Sequence, residues 1–239
     1  MSKKGQAGKV YLIPIIIAND TQDDCLPTSV KATANILDYF LVENVRTARR
    51  FLSALGVEKS ISDLHFEELN KRTNAEDIKR LFGPVMEGKS VGVMSEAGCP
   101  GVADPGSMAV SYAHEHGIQV VPLVGPSSFL LALMASGFNG QSFAFHGYLP
   151  IDKTERAKAI KKLEKQAQEQ AQTQIFMETP YRNNKLLDAV LSNCRPSTKL
   201  CIAKGITGAE EFIKTQSVSD WKRSKPDLHK VPTVFLMNA

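Results

Sequence analysis

The sequence has few cysteines and no long apolar run. Its four cysteines, Cys25, Cys99, Cys194 and Cys201, are widely spread, form no CxxC pair and have no histidine neighbour at a metal-ligand spacing. Neither a disulfide framework nor a metal site is therefore expected. No apolar run approaches the roughly 18 residues that a membrane span needs, and no apolar stretch of a signal peptide follows the basic start Met1–Lys9. These absences predict a cytoplasmic protein with a short flexible start.

Composition and charge limit the size of the core and the kinds of partner. With 43% hydrophobic residues, a chain of 239 residues can bury a sizeable core in one large or two small domains. The formal net charge of +4 is mild, so it permits a polyanionic partner without requiring one. Composition alone leaves both an RNA and a small-molecule substrate open.

Short apolar, β-branched runs alternate with longer helix-like stretches, which is typical of a mainly parallel sheet with crossover helices. The predicted strands are Val10–Ile17, Tyr39–Val42, Ser90–Met94, Ile118–Val121, Ser142–Phe145, Gln174–Met177, Lys199–Ala203 and Thr233–Met237. The predicted helices are Pro27–Leu37, Arg46–Leu55, Asn74–Met86, Ser107–His116, Ser127–Ser136, Thr154–Gln170 and Asn183–Leu191. The predicted fold class is α/β.

A domain boundary is predicted near Pro122–Gly125, where a strand ends in Pro-Leu-Val-Gly-Pro and a new helix starts at Ser127. The predicted domains are therefore residues 1–123 and 124–239. The charged stretch Thr154–Gln172 is interpreted as a long solvated helix, with an RNA-gripping role as the alternative.

The glycine-rich turn Ser95–Gly106 is the main candidate for a binding site. It follows the predicted strand Ser90–Met94, so it lies at the carboxyl end of a strand, where open α/β sheets place ligands. The turn has neither a Walker A pattern nor Gly-x-Gly-x-x-Gly spacing, and the carboxylates of Glu96 and Asp104 would repel a phosphate. A ligand with hydroxyls or a positive centre is favoured. The alternative is a tight turn whose glycines only allow two elements to pack.

Three ordered motifs carry a resemblance to a known family. They are Ser95-Glu-Ala-Gly-Cys-Pro-Gly-Val-Ala-Asp-Pro-Gly106, Val121-Pro-Leu-Val-Gly-Pro-Ser127 and Phe145-His-Gly-Tyr-Leu-Pro150. They resemble the tetrapyrrole methylase superfamily of S-adenosylmethionine-dependent methyltransferases, and within it the bacterial branch that methylates the ribose 2′-hydroxyl of a cytidine in 16S ribosomal RNA. Weaker similarity extends to Val42–Arg50, Phe176–Arg182 and Val231–Met237.

The resemblance implies two α/β domains of the tetrapyrrole methylase type, with S-adenosylmethionine in the interdomain cleft and a homodimer as the working unit. On the family pattern the cofactor would contact Pro14, Met94, Ala97, Gly98, Val102, Ser127, Ser128, Met177, Ala203 and Thr233. A ribose hydroxyl needs a nearby base, or a cation that stabilises the developing alkoxide. The candidates, all from segments that resemble family motifs, are Glu43, Arg46, Glu178 and Lys204. For Arg46 and Glu178 the alternative is an ion pair that ties a strand to a helix.

The sequence departs from the family pattern on the expected substrate side. Ile16 or Ile17 replaces a glycine of the first loop, and a β-branched residue does not easily adopt positive φ. Asn44 replaces the usual aspartate, and Lys204–Gly208 replaces a segment that carries an acidic and a basic side chain. The cofactor is therefore better supported than the methyl acceptor.

Three functions follow from these observations. The leading hypothesis is an RNA ribose 2′-O-methyltransferase that offers phosphates a basic surface. The basic residues are Arg46, Arg49 and Arg50, together with the Lys158/Lys161/Lys162 face. The second is a methyltransferase that uses the same cofactor on a tetrapyrrole or another small molecule. The third, motivated by the departures at Ile13–Asn19 and Lys204–Gly208, is a binding protein that has kept the site and lost the chemistry.

Overall fold

The computed structural model describes residues 7–239, so the first six residues of the predicted flexible start lie outside the described residues. The described residues form ten strands and ten α-helices in two compact units, which divide after Ser127. The predicted boundary between residues 123 and 124 stays a prediction. No helix within residues 7–239 is long and apolar enough to cross a membrane.

Unit 1, which ends at Ser127, contains a five-stranded parallel sheet in the order β3-β2-β4-β1-β5. Its strands are β1 (Val10–Leu12), β2 (Tyr39–Val42), β3 (His65–Glu68), β4 (Val91–Met94) and β5 (Val120–Pro122). Its helices are α1 (Gln22–Cys25), α2 (Thr28–Ile36), α3 (Val45–Leu55), α4 (Ala75–Leu81), α5 (Gly83–Met86) and α6 (Gly106–Glu115).

Both faces of this sheet are covered, which explains why β2 is apolar at every position. Tyr39 and Leu41 pack into one core cluster and Phe40 and Val42 into the other, as the two-residue period of a strand requires. The connections that leave β1 and β4 run in opposite directions along the sheet. Such a switch point is where open α/β sheets place ligands, at the carboxyl ends of the strands.

Unit 2, Ser128–Ala239, contains a mixed five-stranded sheet in the order β6-β7-β10-β8-β9. Its strands are β6 (Phe143–Tyr148), β7 (Thr173–Met177), β8 (Lys199–Lys204), β9 (Phe212–Ser217) and β10 (Thr233–Asn238). Its helices are α7 (Ser128–Ser136), α8 (Lys153–Gln170), α9 (Asn183–Asn193) and α10 (Val218–Arg223). Only β6 and β7 pair in parallel, whereas the pairs made by β10, β8 and β9 are antiparallel. The prediction of a mainly parallel sheet is therefore right for unit 1 and wrong for unit 2.

Every predicted strand and helix overlaps an observed one, but two strands were missed. Both β3 and β9 lie at sheet edges, and they carry charged or polar residues that protect an exposed edge from pairing. That protection removes the apolar pattern by which strands are found. The predicted helix Asn74–Met86 is two helices, α4 and α5, and Pro84 lies in the first turn of α5, where its missing N–H costs little. The predicted strand Val10–Ile17 leaves the sheet after Leu12.

The amphipathic helix α8 is tied to the chain after α9 by one buried carboxylate. The carboxylate of Glu164 accepts hydrogen bonds from the Arg195 amide at 2.8 Å and from the Thr198 hydroxyl. The lysines Lys158, Lys161 and Lys162 are exposed on the same helix, which agrees with the interpretation of a solvated helix.

We expect Glu164→Ala to lower the free energy of unfolding by about 1–3 kcal/mol, because it leaves the buried Thr198 hydroxyl and the Arg195 amide without their acceptor. Glu169→Ala removes an exposed carboxylate from the same helix and should change stability by less than about 0.5 kcal/mol. Urea denaturation followed by circular dichroism measures both. Equal losses in the two variants would show that the buried hydrogen bonds do not stabilise unit 2.

Candidate functional site

The glycine-rich turn Ser95–Gly106 lies at the carboxyl edge of the unit 1 sheet, directly after β4. Gly98 (φ +70°) and Gly101 (φ +84°) adopt the left-handed backbone conformation that glycine tolerates best. Gly106 is required for another reason, because a Cβ there would lie 2.8 Å from the backbone nitrogen of Gly101. The turn is therefore folded closely against the start of α6.

A pair of backbone hydrogen bonds joins this turn to the loop that follows β1. The amide of Ile15 donates to the carbonyl of Gly98 at 2.8 Å, and the amide of Gly98 donates to the carbonyl of Ile15 at 3.0 Å. The first loop thus makes a short antiparallel bridge to the turn after β1 has ended. Strands β1 and β4 are neighbours in the sheet, so this bridge extends their contact beyond the sheet edge.

The loop that follows β5 completes the arrangement. A Cβ on Gly125 would lie 2.1 Å from the Cβ of Pro14, so these two loops are in direct contact. The Cys99 thiol donates to the Pro126 carbonyl at 3.3 Å, and burial raises its pKa. Cys99 therefore has the environment of a packing residue. We call the three joined segments, residues 13–19, 95–105 and 123–127, the three-loop clamp.

Three carboxyl groups lie at the same edge, on Glu43, Glu96 and Asp104. Partial burial, followed by the negative charge of Glu43, raises the pKa of Asp104 to about 6, although a hydrogen bond with Ser95 acts in the opposite direction. The Glu96 carboxylate accepts a hydrogen bond from the Thr47 hydroxyl at 3.4 Å. The edge therefore carries negative charge, which suits a ligand with a positive centre better than a phosphate.

Five of the predicted cofactor contacts lie after β1, at the end of β4 or in the turn that follows it, and their side chains differ in exposure. Pro14 and Gly98 belong to the clamp, and Ala97 and Val102 are exposed on the turn. Met94, however, is only 2% exposed and packs in the core cluster that contains Val42 and Phe40. Its side chain supports the sheet.

The two predicted catalytic residues of unit 1 have different surroundings. Glu43 is half-buried directly after β2, and its amide donates to the carbonyl of Met94 at 3.2 Å. Arg46 is exposed in the first turn of α3 and has no ion-pair partner among residues 7–239. Asn44, which replaces the family's aspartate, caps α3 by accepting from the Thr47 amide at 3.1 Å. The change from aspartate thus retains the cap.

Four predicted residues of unit 2 lie close together where strands β7 and β8 end and β10 begins. They are Met177, Ala203, Lys204 and Thr233. Val234 on β10 lies opposite Met177 on one side and Ala203 on the other, and Thr233 lies opposite Lys204. Ala203 is fully buried and Thr233 is 4% exposed, so their surroundings are fixed by packing. The sequence separations between them gave no sign of this meeting beyond the family pattern.

Lys204 makes contacts of its own, and two further predicted residues lie where the chain divides into its two units. The ammonium of Lys204 donates to the Asp227 carbonyl at 3.3 Å and lies 5.8 Å from the centre of the Phe212 ring. Ser127 is the last residue of unit 1 and Ser128 is the first residue of α7. That residues of both units contribute to one cofactor site stays a prediction.

Glu178 is almost completely buried and forms an ion pair. Its Oε1 accepts from the Thr179 amide and from Nη2 of Arg182, both at 2.7 Å. Burial alone would raise the pKa of Glu178, but these hydrogen bonds outweigh it and the pKa is lowered. A carboxylate of lowered pKa is a weak proton acceptor, so the geometry fits the ion-pair alternative. Arg182 was missed as its partner, although its four-residue spacing from Glu178 was a signal.

Unit 1 also contains a cavity of about 260 Å³ beside the turn. It is lined by the first loop, by α3 and by Glu96 and Ala97. Sequence reasoning missed Gln22 and Thr47 as lining residues. Helical spacing was a signal for the part of the lining that α3 contributes, because Thr47, Arg50 and Ala54 lie on one side of this helix.

The sequence pattern of the family described as Tetrapyrrole (Corrin/Porphyrin) Methylases matches residues 29–221. A relative from Halalkalibacterium halodurans, named Ribosomal RNA small subunit methyltransferase I, is 31% identical over 205 residues, which cover 82% of this chain and 67% of that protein. The fold is similar to that of the methyltransferase CobJ, with a TM-score of 0.65 and 19% identity over 97% of this chain and 94% of that chain. It is also similar to a uroporphyrin-III C-methyl transferase from Thermus thermophilus complexed with S-adenyl homocysteine, with a TM-score of 0.55 and 15% identity over 97% of each chain.

Fold and sequence pattern together define a methyltransferase. The chain belongs to the tetrapyrrole methylase family. The predictions of two α/β domains and of an S-adenosylmethionine-dependent methyltransferase are confirmed. The chain spans about two thirds of the length of the relative from H. halodurans. The roles of the individual site residues stay predictions.

We expect Gly125→Ala to weaken the three-loop clamp, because its Cβ would overlap the Pro14 ring. The variant should lose about 1–3 kcal/mol of stability and bind S-adenosylmethionine at least tenfold more weakly. Gly140→Ala is the matched control, since nothing lies within 4 Å of a Cβ there. Thermal unfolding and calorimetric titration measure the two effects. If Gly125→Ala is destabilised but binds S-adenosylmethionine with unchanged affinity, the three-loop clamp is not required for binding.

We expect the contribution of Asp104 to stability to fall as the pH rises from about 4 to about 6, because the folded-state pKa of Asp104, about 6, lies above its ordinary 3.8. The folded protein then holds a proton that the unfolded chain releases. Asp104→Asn should be more stable than wild type at pH 7.5, by on the order of 1 kcal/mol, and the difference should shrink towards pH 4. Asp24→Asn, at an exposed carboxyl group, is the control. If the free energy of unfolding in urea differs between Asp104→Asn and wild type by the same amount at every pH, the raised pKa of Asp104 is contradicted.

Proposed function

We propose that this protein transfers a methyl group from S-adenosylmethionine to a ribose 2′-hydroxyl of small-subunit ribosomal RNA. The observation that carries the proposal is the 31% identity, over 82% of the chain, to a protein named Ribosomal RNA small subunit methyltransferase I. The motifs quoted from the sequence support the same branch. A cytoplasmic location is part of the proposal.

The unit 1 edge has the chemistry that the cofactor requires. When bound, S-adenosylmethionine supplies the methyl group on a positively charged sulfonium. The carboxyl groups of Glu43, Glu96 and Asp104 make the edge attractive to such a cation. Ala97 is exposed beside Gly98 and has little side-chain bulk, which allows close approach of a ligand. The residues present therefore fit the cofactor.

Methyl transfer is an in-line displacement, so the protein must position the acceptor oxygen and exclude water. The pair Glu43 and Asp104 is the better candidate to accept the hydroxyl proton, because the pKa of Asp104 lies near neutrality. Glu178 positions Arg182 and does not act as the base, since its pKa is lowered. Arg46 and Lys204 remain the candidates to stabilise the developing alkoxide.

The RNA backbone would be held by exposed cations. Arg46 and Arg49 are exposed on α3, and Arg49 lies 5.3 Å from the centre of the Phe66 ring, so an aromatic face is available beside the guanidinium. The exposed lysines of α8 offer a second set, of which Lys158 already pairs with Glu155 at 2.8 Å. Contacts of this kind go to phosphates and give affinity without reading sequence.

The working unit is proposed to be a homodimer, as the family resemblance implies. Helix α7 carries two exposed apolar side chains one turn apart, Leu130 at 43% and Met134 at 80% exposure. An apolar pair of this kind gains by burial against a second copy of the chain.

We expect purified protein to incorporate labelled methyl groups into 30S subunits from cells that lack it, and not into a tetrapyrrole mixture tested in parallel. The affinity for RNA should fall steeply with added salt, because binding releases counterions from phosphates. Incorporation into 30S subunits no greater than in a no-enzyme control would contradict the RNA assignment. Incorporation into the tetrapyrrole mixture alone would establish the small-molecule alternative.

Failure of both substrates leaves the third function, a binding protein without activity. Calorimetric titration with S-adenosylmethionine then decides, because a binding protein retains the cofactor. Absence of binding at high protein concentration would contradict both enzyme hypotheses and the cofactor itself.

A further inference from the structure

The carboxyl edge of the unit 2 sheet carries exposed aromatic side chains. Strand β6 pairs in parallel with β7, and Tyr148 at the end of β6 lies opposite Met177 at the end of β7. Tyr181 follows β7 in the short 3₁₀-helix Pro180–Arg182. Tyr148 is 54% exposed and Tyr181 is 69% exposed. Two tyrosine rings therefore face solvent where two neighbouring strands end.

Two exposed residues of the segment before β10 lie beside the Tyr181 ring. The Nζ atom of Lys230 lies 5.9 Å from the ring centre. The imidazole of His229 meets the ring edge-on, with 6.2 Å between the two ring centres. Lys230 forms no ion pair within residues 7–239. A positive charge is therefore held beside an aromatic ring that remains mostly exposed.

Hydrogen bonds hold the segment that carries His229 and Lys230. The amide of Lys230 donates to the carbonyl of Pro180 at 3.1 Å, and the buried side chain of Asn183 donates to the carbonyl of Val231 at 2.6 Å. Lys230 has a φ of +62°, a left-handed conformation that is unfavourable for a residue other than glycine. The position of Lys230 beside Tyr181 is thus fixed by the fold.

The two acidic groups of residues 178–182 and 227–231 are already bonded. The carboxylate of Glu178 is paired with Arg182. The carboxylate of Asp227 accepts from the side chain of Asn184 at 2.7 Å and from the amide of His229 at 3.0 Å. The ammonium of Lys230 therefore remains the charge that these segments present to an anionic ligand.

We propose that Tyr181 and Lys230 form a stacking site for single-stranded RNA next to the methylated nucleotide. The proposal rests on the proposed function. A base stacks on the exposed face of Tyr181, and Lys230 contacts a neighbouring phosphate. Tyr148 extends the same edge with a second exposed ring. Because every base has an aromatic face, such a site gives affinity without selecting a sequence.

The first test separates the bases from the phosphates. Fluorescence anisotropy measures the affinity for a labelled, unstructured RNA oligonucleotide and for an abasic oligonucleotide of the same length. We expect wild type to bind the RNA with bases roughly tenfold more tightly, Tyr181→Phe to keep this preference and Tyr181→Ala to lose most of it. Phe143→Ala is the control, because it removes an exposed ring from the opposite end of β6. An equal preference in Tyr181→Ala and wild type, or no preference in wild type, would overturn the proposal.

The second test examines the charge of Lys230. Lys230→Gln should make the slope of log affinity against log salt concentration less steep by about 0.7 for both oligonucleotides, because one phosphate contact is lost. Lys199→Gln removes an exposed charge at the start of β8, on the opposite edge of the same sheet, and should leave the slope unchanged. An unchanged slope in Lys230→Gln, or an equal change in both variants, would show that Lys230 does not contact a phosphate.

Activity on 30S subunits distinguishes this proposal from the proposed function. We expect Tyr181→Ala to raise KM for 30S subunits and to retain kcat, because a stacked base contributes equally to the ground state and the transition state. The Tm should not change, since the ring is exposed. If wild type methylates 30S subunits but binds the two oligonucleotides equally, only the stacking site is wrong. If wild type methylates no RNA, the proposed function is wrong.

Discussion

The paired hydrogen bonds between Ile15 and Gly98 are the interaction on which the site of unit 1 depends. They join the loop after β1 to the turn after β4, at a point where the parallel sheet has ended and no ladder remains to align the two segments. Gly98 makes this possible because its φ of +70° points the backbone towards the first loop. The contact of Gly125 with Pro14 then fixes the third segment. The three loops are thus joined at one edge, with Ala97 and Val102 exposed on it.

The same edge carries an electrostatic cost. Partial burial raises the pKa of Asp104, and the negative charge of Glu43 adds to this shift. A positively charged ligand at this edge would offset part of that cost. In unit 2, by contrast, the carboxylate of Glu178 is already neutralised by Arg182, which is the arrangement of a structural ion pair.

The sequence was sufficient for most of the strands and helices and for the turn, because these depend on local patterns. The apolar strand β2 and the glycines of Ser95–Gly106 are properties of neighbouring residues. The order of strands in unit 2 is not local: β10 lies between β7 and β8, and no pattern within β10 specifies an antiparallel partner. The polar edge strands β3 and β9 were missed for the same reason, since their polarity follows from their place in the sheet.

The candidate site shows the same difference between residues that local patterns identify and residues whose surroundings depend on the fold. Ala97, Gly98 and Pro14 could be named from motifs, because the motif and the clamp are the same residues. Arg182 was missed although its spacing from Glu178 was a signal, and Gln22 was missed because folding places it beside the cavity. Met94 shows the reverse case: the motif predicts a cofactor contact, but the side chain is packed in the core.

A crystal structure of the protein with S-adenosylhomocysteine tests the central claim, that the three-loop clamp forms the cofactor site, most directly. We expect ligand density beside Ala97 and Gly98, with the conformation of the three-loop clamp unchanged. Density at any other place, with residues 95–105 free of ligand, would contradict it.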